Sequence, residues 1–327
     1  MLQTGFTYIR QETRLGMKKK RRVLSAWIMA LVLSAAGLGC TATAGEVMDY
    51  SENALNYVEG SMDISQGIPD DALGVLVRIR QNGVLRVATE PYFPPQEYID
   101  PNLEGQEKYQ GADMELARLI AEKMGVELQI VEMDFADVLL SVSEDQCDLA
   151  ISALAFTPGR AAANEMSKGY YFSDIPKCSV LIRKEDVDEI TSIEDLADKT
   201  MIAQQGSLQE TMMICNITKY QEFRRVPSIQ MVYDAVQDGT ADAAAVDAET
   251  ALEYIRHDPD CGLTLAPGIE FLLEEQYQGD RIAAKKGEIQ LMFFVNGVID
   301  EVMQKDLYTQ WIEEARAKAH ELGLWGE

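Results

Sequence analysis

Apolar side chains recur along this chain with two periods, and the switches between them mark its elements. Pro69 to Gln81 carries Leu73, Val75, Leu76 and Ile79 at helical spacing, and Asn82-Gly83 ends the run before a strand over Val84 to Thr89. Gly111-Ala112-Asp113 opens a helix with Leu116, Leu119, Ile120 and Met124 on one face, closed by Gly125. Val126, Leu128 and Ile130 alternate as a strand, and Phe135 to Val142 reads as a helix. Asp148 to Ser152 is a short apolar run with the character of a buried strand. Thr157 then caps and Pro158 starts a helix, so Arg160 falls in its first turn.

The second half repeats the alternation. Tyr170 to Phe172 and Ser179 to Ile182 are extended and apolar, where the chain is expected to cross to another lobe. Ser192-Ile193-Glu194-Asp195 caps a short helix, Met201 to Ala203 is a strand, and a helix begins near Leu208. Ser228 caps a helix bearing Met231, Val232, Ala235 and Val236, and Ala241 to Val246 is a small-residue buried strand with Asp247 at its end. Leu263 to Gln278 reads as irregular, and Arg281 to Ala284 returns the chain to the first lobe. Two amphipathic helices, Ile289 to Met303 and Thr309 to Leu322, complete it. The pattern predicts an α/β protein of two lobes, each a mostly parallel sheet flanked by helices, joined by a two-strand hinge. Lobe 1 spans 69–172 and 280–327, and lobe 2 spans 173–279.

Composition places this body outside the cytoplasm. Residues 1–39 hold seven basic side chains against one acid, with a basic run Lys18 to Arg22 before an uncharged stretch Val23 to Gly39, the form of a signal peptide whose start is expected at Met17. The alternative is an uncleaved anchor, with the same topology. Removing that segment changes the formal charge from -25 to -31, which repels phosphate backbones and makes nucleic acid a poor partner. Residues 40–68, polar and acidic, read as a flexible tether. Apart from Cys40, the cysteines Cys147, Cys178, Cys215 and Cys261 have no C-x-x-C spacing and the chain has two histidines, so no metal site is expected and buried free thiols are the simpler reading.

Several motifs together resemble the bacterial extracellular solute-binding proteins of family 3, the polar amino-acid receptors of ABC importers. These are Gly111-Ala112-Asp113-Met114-Glu115-Leu116, Val87-Ala88-Thr89-Glu90 with Phe93-Pro94-Pro95, Asp148 to Arg160, Gln204-Gln205-Gly206-Ser207, Asp242 to Asp247, and Ile282 to Gly287. Ala112 stands where a large apolar residue is usual. Gly37-Leu38-Gly39-Cys40 resembles a lipobox, with Gly37 in place of leucine, implying lipidation at Cys40 and a membrane anchor. The resemblance implies a type II periplasmic-binding-protein fold, no cofactor, and importer permease subunits as partners.

It also implies a pocket. Arg160 pairs with the ligand's α-carboxylate, assisted by backbone groups of Ser152, Ala153 and Ala155, while Asp247 holds the α-ammonium. Ser207, Leu208 and Gln209 meet the carboxylate from the second lobe, and Leu208 replaces a usual threonine. Glu90 faces the ligand's side chain and Phe93 packs on its stem. The residues agree with these roles, because a zwitterion taken out of water needs both charges paired. Blander readings stand beside them: Arg160 as a surface cation, Asp247 as the cap of a helix from Glu249, Phe93 as core. The expected activity is capture of a polar or cationic amino acid, such as arginine, lysine or glutamine, without catalysis. Two rivals are an arogenate or prephenate dehydratase on the same fold and a ligand-sensing module.

Overall fold

The computed structural model describes residues 6–7, 57–173, 178–273 and 278–324. Cys40, the signal segment beyond Phe6 and Thr7, and the tether up to residue 56 lie outside them.

The first sheet has the order β6–β2–β7–β14–β8, from β2 (Val84–Thr89), β6 (Glu127–Glu132), β7 (Leu149–Ala155), β8 (Asn164–Met166) and β14 (Asp280–Lys285). Its β6, β2 and β7 run parallel, while β14 is antiparallel to both of its neighbours, β7 and β8. Helices α1 (Gly74–Asn82), α2 (Ala112–Met124), α8 (Ile289–Gln304) and α9 (Leu307–Leu322) contribute Leu76, Leu116, Phe294 and Ile312 to a core that includes Leu85 and Leu149 of the sheet. On the opposite side, Val138 and Val142 of α3 (Phe135–Ser143) join a second core with Ala150 and Leu154. A small antiparallel sheet of β3 (Tyr92–Phe93), β4 (Glu97–Ile99) and β5 (Tyr109–Gln110) links β2 to α2. The turn into α2 requires glycine: Gly111 has φ 117, and a Cβ there would stand 2.2 Å from Gln96 O. Helix α1 starts later than its apolar spacing suggests. The side chains of Gln290 and Glu288 accept from Leu73 N and Val75 N, so a distant segment sets its first turn.

The second sheet has the order β1–β13–β9–β12–β10–β11. These are β1 (Phe6–Thr7), β9 (Cys178–Arg183), β10 (Thr200–Gln204), β11 (Glu222–Val226), β12 (Ala243–Val246) and β13 (Leu263–Leu273). β10 is parallel to both β11 and β12, and β9 is antiparallel to β12 and β13. Each sheet is therefore mixed, with its parallel strands forming one side. Helices α4 (Pro158–Ala163), α5 (Leu208–Asn216), α6 (Ile229–Gln237) and α7 (Ala248–His257) complete the chain's nine described α-helices.

From β2 onward the chain passes between the sheets after Tyr171 and again before Asp280, and these two residues pair: Tyr171 and Asp280 form an antiparallel bridge, and Tyr170 N donates to Asp280 O at 2.9 Å. Two expectations need correction. The segment 263–278, read as irregular, contains an 11-residue strand. Pro267 and Gly268 interrupt its alternation, and the ladder to β9 shifts register between Leu265 and Glu270 and then resumes. Residues 57–68, read as tether, lie against the body. Val58 N donates to Met166 O, Met62 N to Phe293 O, and Asn296 Nδ2 to Val58 O and Gly60 O. Val58 and Ile68 are also buried in the first core, with Met62 and Ile64 packed against it, but these apolar residues keep no single period, so hydrophobic periodicity gives no sign of an element. Of the cysteines, Cys147, Cys178 and Cys261 are buried and Cys215 is exposed, with no disulfide between them.

Candidate functional site

The strand ends of the two sheets face each other across a cleft of about 610 Å³, counting its open mouth. All ten side chains or backbone positions named from the sequence as ligand contacts line it.

From the first sheet, β7 breaks off sharply. Ala153 has φ 45, a left-handed conformation strained for any residue but glycine, and Asp113 of α2 holds it by accepting from Ala153 N at 2.8 Å. Ser152 and Ala155 flank that bend. Thr157 Oγ1 accepts from Arg160 N at 3.1 Å and Pro158 follows the cap, which sets the short helix bearing Arg160. The Arg160 guanidinium donates to Ala155 O at 2.7 Å and to Gly206 O at 3.0 Å, the latter in the second lobe's β10–α5 turn. Its carbon also lies 5.7 Å from the centre of the Phe135 ring. Burial lowers its pKa to about 10, opposed by Asp280, so it stays cationic at neutral pH.

From the second sheet, β12 delivers Asp247, which is both helix cap and cleft wall. Its Oδ1 accepts from Thr250 N at 2.9 Å and Thr250 Oγ1 at 3.1 Å, and the residue lines the cavity. The structural and functional readings of Asp247 therefore coexist. Ser207 caps α5 through Glu210 N, with Leu208 and Gln209 next on the same wall.

The remaining corner is acidic. Glu90, at the end of β2, is buried, and its Oε1 accepts from Gln204 Nε2 at 3.1 Å across the cleft. Burial pushes its carboxyl up to about 8, against the hydrogen bond from Gln204 and with the help of Asp134. Ser152 Oγ accepts from Glu90 N and donates to Glu97 Oε1. Burial first, and Asp113 next, hold the Glu97 carboxyl well above the ordinary carboxylate range. Asp113 accepts from Tyr170 and Tyr308 hydroxyls as well as from Ala153 N, and burial raises it to about 6 despite these bonds. Phe93 packs against the apolar cluster of the second sheet that contains Ile229 and Val232, so it belongs to wall and interlobe core together.

Six further residues line the cleft beside those ten: Glu97, Phe135, Gln204, Ile229, Ala245 and Asp280. Of these, Gln204 and Ala245 lie in stretches that carry the family resemblance, close to Ser207 and Asp247, and the position of Gln204 one residue past a predicted strand is its signal in the sequence.

A cleft between two α/β lobes, lined by a half-buried arginine and a buried aspartate from opposite walls, defines a two-lobed receptor for small solutes. The chain belongs to the bacterial extracellular solute-binding proteins, family 3, whose pattern matches residues 85–314. It is 27% identical to the L-cystine-binding protein TcyJ of Escherichia coli over 243 residues, 74% of this chain and 85% of that one. A shorter match, 35% over 100 residues, covers 31% of this chain and 37% of the arginine-binding extracellular protein ArtP of Bacillus subtilis. Cyclohexadienyl dehydratase of Pseudomonas aeruginosa is 26% identical over 243 residues, 72% of this chain and 87% of that one. Among solved structures, an amino acid ABC transporter substrate-binding protein from Streptococcus pneumoniae bound to L-arginine superimposes with TM-score 0.66 at 27% identity, covering 75% of this chain and 98% of that one. The fold is accordingly that of the type II periplasmic binding proteins.

Proposed function

We propose that this protein captures an α-amino acid with a cationic or polar side chain outside the cytoplasm and presents it to the membrane subunits of an ABC importer. The observation that carries the reading is that Arg160 and Asp247, from opposite sheets, line one open cleft. Arg160 takes the α-carboxylate with its two-pronged donor face, and Ser152, Ala153, Ala155, Ser207, Leu208 and Gln209 frame that end. Asp247 takes the α-ammonium. Glu90 faces the side chain, and Phe93 packs along its stem.

The lobes, 69–172 with 280–327 and 173–279, close about the two paired crossing segments once ligand touches both walls. An importer reads the closed form, and Cys40, if lipidated, keeps the receptor at the outer membrane face.

The acidic corner favours a cation, and the arginine-bound neighbour supports that preference. Cystine fits less well, since its second carboxylate would need a second cation and, among the described residues, Arg160 is the one basic residue lining the cleft. A thermal-shift screen of the common amino acids followed by calorimetry tests the reading. Arginine or lysine should give the largest shift, and no response to any α-amino acid would refute it.

Buried acids over the cleft also suit a second reading, a dehydratase with Glu90 or Glu97 as general acid, which the dehydratase relative supports. Incubation with arogenate and prephenate decides it: absence of turnover dismisses the enzyme.

A further inference from the structure

A second arginine is buried close to the cleft without lining it. Arg281, the second residue of β14, is 4% exposed, and its guanidinium carbon lies 4.0 Å from the centre of the Tyr57 ring and 5.0 Å from that of Phe156. The two rings meet edge to face, 5.9 Å apart and inclined at 81°. Arg281 Nη1 donates to Ser167 O at 2.9 Å, while its Nε has no hydrogen-bond partner among the described residues. Burial lowers its pKa, opposed by Tyr57 and by the neighbouring Asp280. A cation held this deep with so few acceptors needs another source of stabilisation, and the aromatic rings supply it.

Each member of this stack belongs to a different part of the chain. Phe156 follows Ala155, whose carbonyl accepts from the Arg160 guanidinium, and precedes Thr157, which caps the helix carrying Arg160. Tyr57 precedes the family pattern, which begins at residue 85, and joins the edge of the first sheet by a parallel bridge to Met166. Its segment is seated on α8: Asn296 Nδ2 holds Val58 O and Gly60 O, and a Cβ on Gly297 would stand 2.5 Å from Met62 O. Arg281 itself lies opposite the part of β7 beyond the bend. Asp280 pairs with Ala155 and Arg281 with Leu154, and the register then shifts before Ala283 pairs with Ala150. Ala153, at φ 45, falls within that irregularity, so the ladder alone does not carry the register from one side of the bend to the other.

We infer that Tyr57 and Arg281 are positioning residues for the Arg160 end of the cleft: stacked with Phe156, they fix β7 beyond its bend, and with it the Ala155 carbonyl and the capped helix that aim Arg160. The inference rests on the reading of the cleft as an amino-acid site and adds to it a brace supplied from outside the family pattern. Neither residue lines the cleft, so both act through Phe156. Loosening the stack therefore costs the grip on an α-carboxylate and spares contacts with the rest of the ligand. An amino acid and its α-carboxamide, which lacks the negative charge, should then be told apart less well.

Calorimetry on the full chain with L-arginine, L-lysine and L-glutamine, each beside its α-carboxamide, tests the brace. Tyr57→Ala should weaken the amino acids at least about threefold, the scale of one cation–aromatic contact, and the carboxamides less. Tyr57→Phe keeps the ring and should bind as the unmodified protein does. Arg281→Lys keeps the charge but loses the planar face, so it should repeat the loss, and it carries the test should Tyr57→Ala fail to fold. Melting curves show which variants fold. Added to Arg160→Lys, which has already lost the fork, either substitution should weaken binding little further, whereas an independent structural loss would add in full. Folded variants that bind the amino acids undiminished, or lose acids and carboxamides alike, or add in full to Arg160→Lys, overturn the brace and leave the cleft an amino-acid site. Failure of all three amino acids to bind the unmodified protein removes both.

Discussion

Arg160 Nη2 donates to Gly206 O at 3.0 Å, so a guanidinium mounted on the first lobe grips a backbone carbonyl of the second. On the proposed reading the contact lies at the end of the cleft that takes the ligand's carboxylate, and Gly206 itself sits tightly against α3, where a Cβ would meet Ala136 Cα at 3.2 Å. Closure, if driven by ligand as proposed, then meets a backbone contact as well as an ionic one. Arg160→Ala should abolish amino-acid binding in calorimetry, a loss of at least about 2 kcal/mol for a charge-assisted pair deprived of one partner. Arg160→Lys keeps the charge and loses the fork, so it should remain at least about tenfold weaker. Undiminished affinity in either variant would refute the role.

Asp247 serves α7 and the cleft with one side chain, and asparagine can separate the two. Asparagine caps helices about as well as aspartate, so Asp247→Asn should leave stability within about 0.5 kcal/mol. It carries no charge, so affinity for an α-ammonium should fall at least about tenfold, the loss of a charged hydrogen bond. Asp247→Ala should lose both, with about 1 kcal/mol from the missing cap. Urea melts beside calorimetry check the division, and an asparagine variant that binds normally would leave Asp247 a cap alone.

How far the sequence reveals this site depends on how local each cause is. The bend carrying Ser152 to Arg160 is legible because a buried strand, a threonine cap and a proline follow in order, and Asp247 is legible as the residue ending a small apolar strand. Glu97, Phe135 and Gln204 are not, since what brings them to the cavity is the meeting of β4, α3 and β10, which no spacing records. Two- and three-residue strands such as β3 and β5 are too short to show a period. Residues 57–68 are held by main-chain bonds to Met166 and Phe293 and by Val58, Met62, Ile64 and Ile68 at the first core, apolar residues too irregularly spaced to show an element.

Stability without ligand should fall as pH rises from about 5 to about 8. Burial raises Glu90 to about 8 and Asp113 to about 6, both above their unfolded values, so the folded chain binds more protons than the unfolded one in that interval. Stability from these groups is greatest below their unfolded pKa and is lost as pH climbs through the folded one. Carboxyls held low by partners, such as Asp145 beside Lys285 and Glu301 beside Lys123, act in the opposite sense but below their ordinary range, outside this window. Urea midpoints across the interval should decline, and Glu90→Gln should flatten the upper part. A midpoint rising to pH 8 would contradict the burial of a neutral Glu90.

Affinity should also respond to a contact remote from the ligand. Arg316 of α9 lies 3.2 Å from Glu249 and 3.2 Å from Glu253 of α7, and Tyr171 donates to Glu249 at 2.9 Å. Beside them the chain's two histidines meet, His257 Nδ1 to His320 Nδ1 at 3.2 Å. Helix α7 begins at Asp247 and α9 packs in the first lobe's core, so these contacts join the lobes without touching the cleft. Ligand affinity includes the free energy of closing, and a latch made in the closed form enters it equally for every ligand. Arg316 is 28% exposed on its side chain, so screening limits the latch to about 1 kcal/mol or less. Arg316→Ala should therefore weaken all bound amino acids by one common factor, up to about fivefold, and expand the ligand-free protein in small-angle scattering. Added salt should weaken binding by the unmodified protein more than by the variant. A loss confined to one ligand class would instead place Arg316 in specificity, and unchanged affinity with unchanged dimensions would leave the α7–α9 contact without a part in closure.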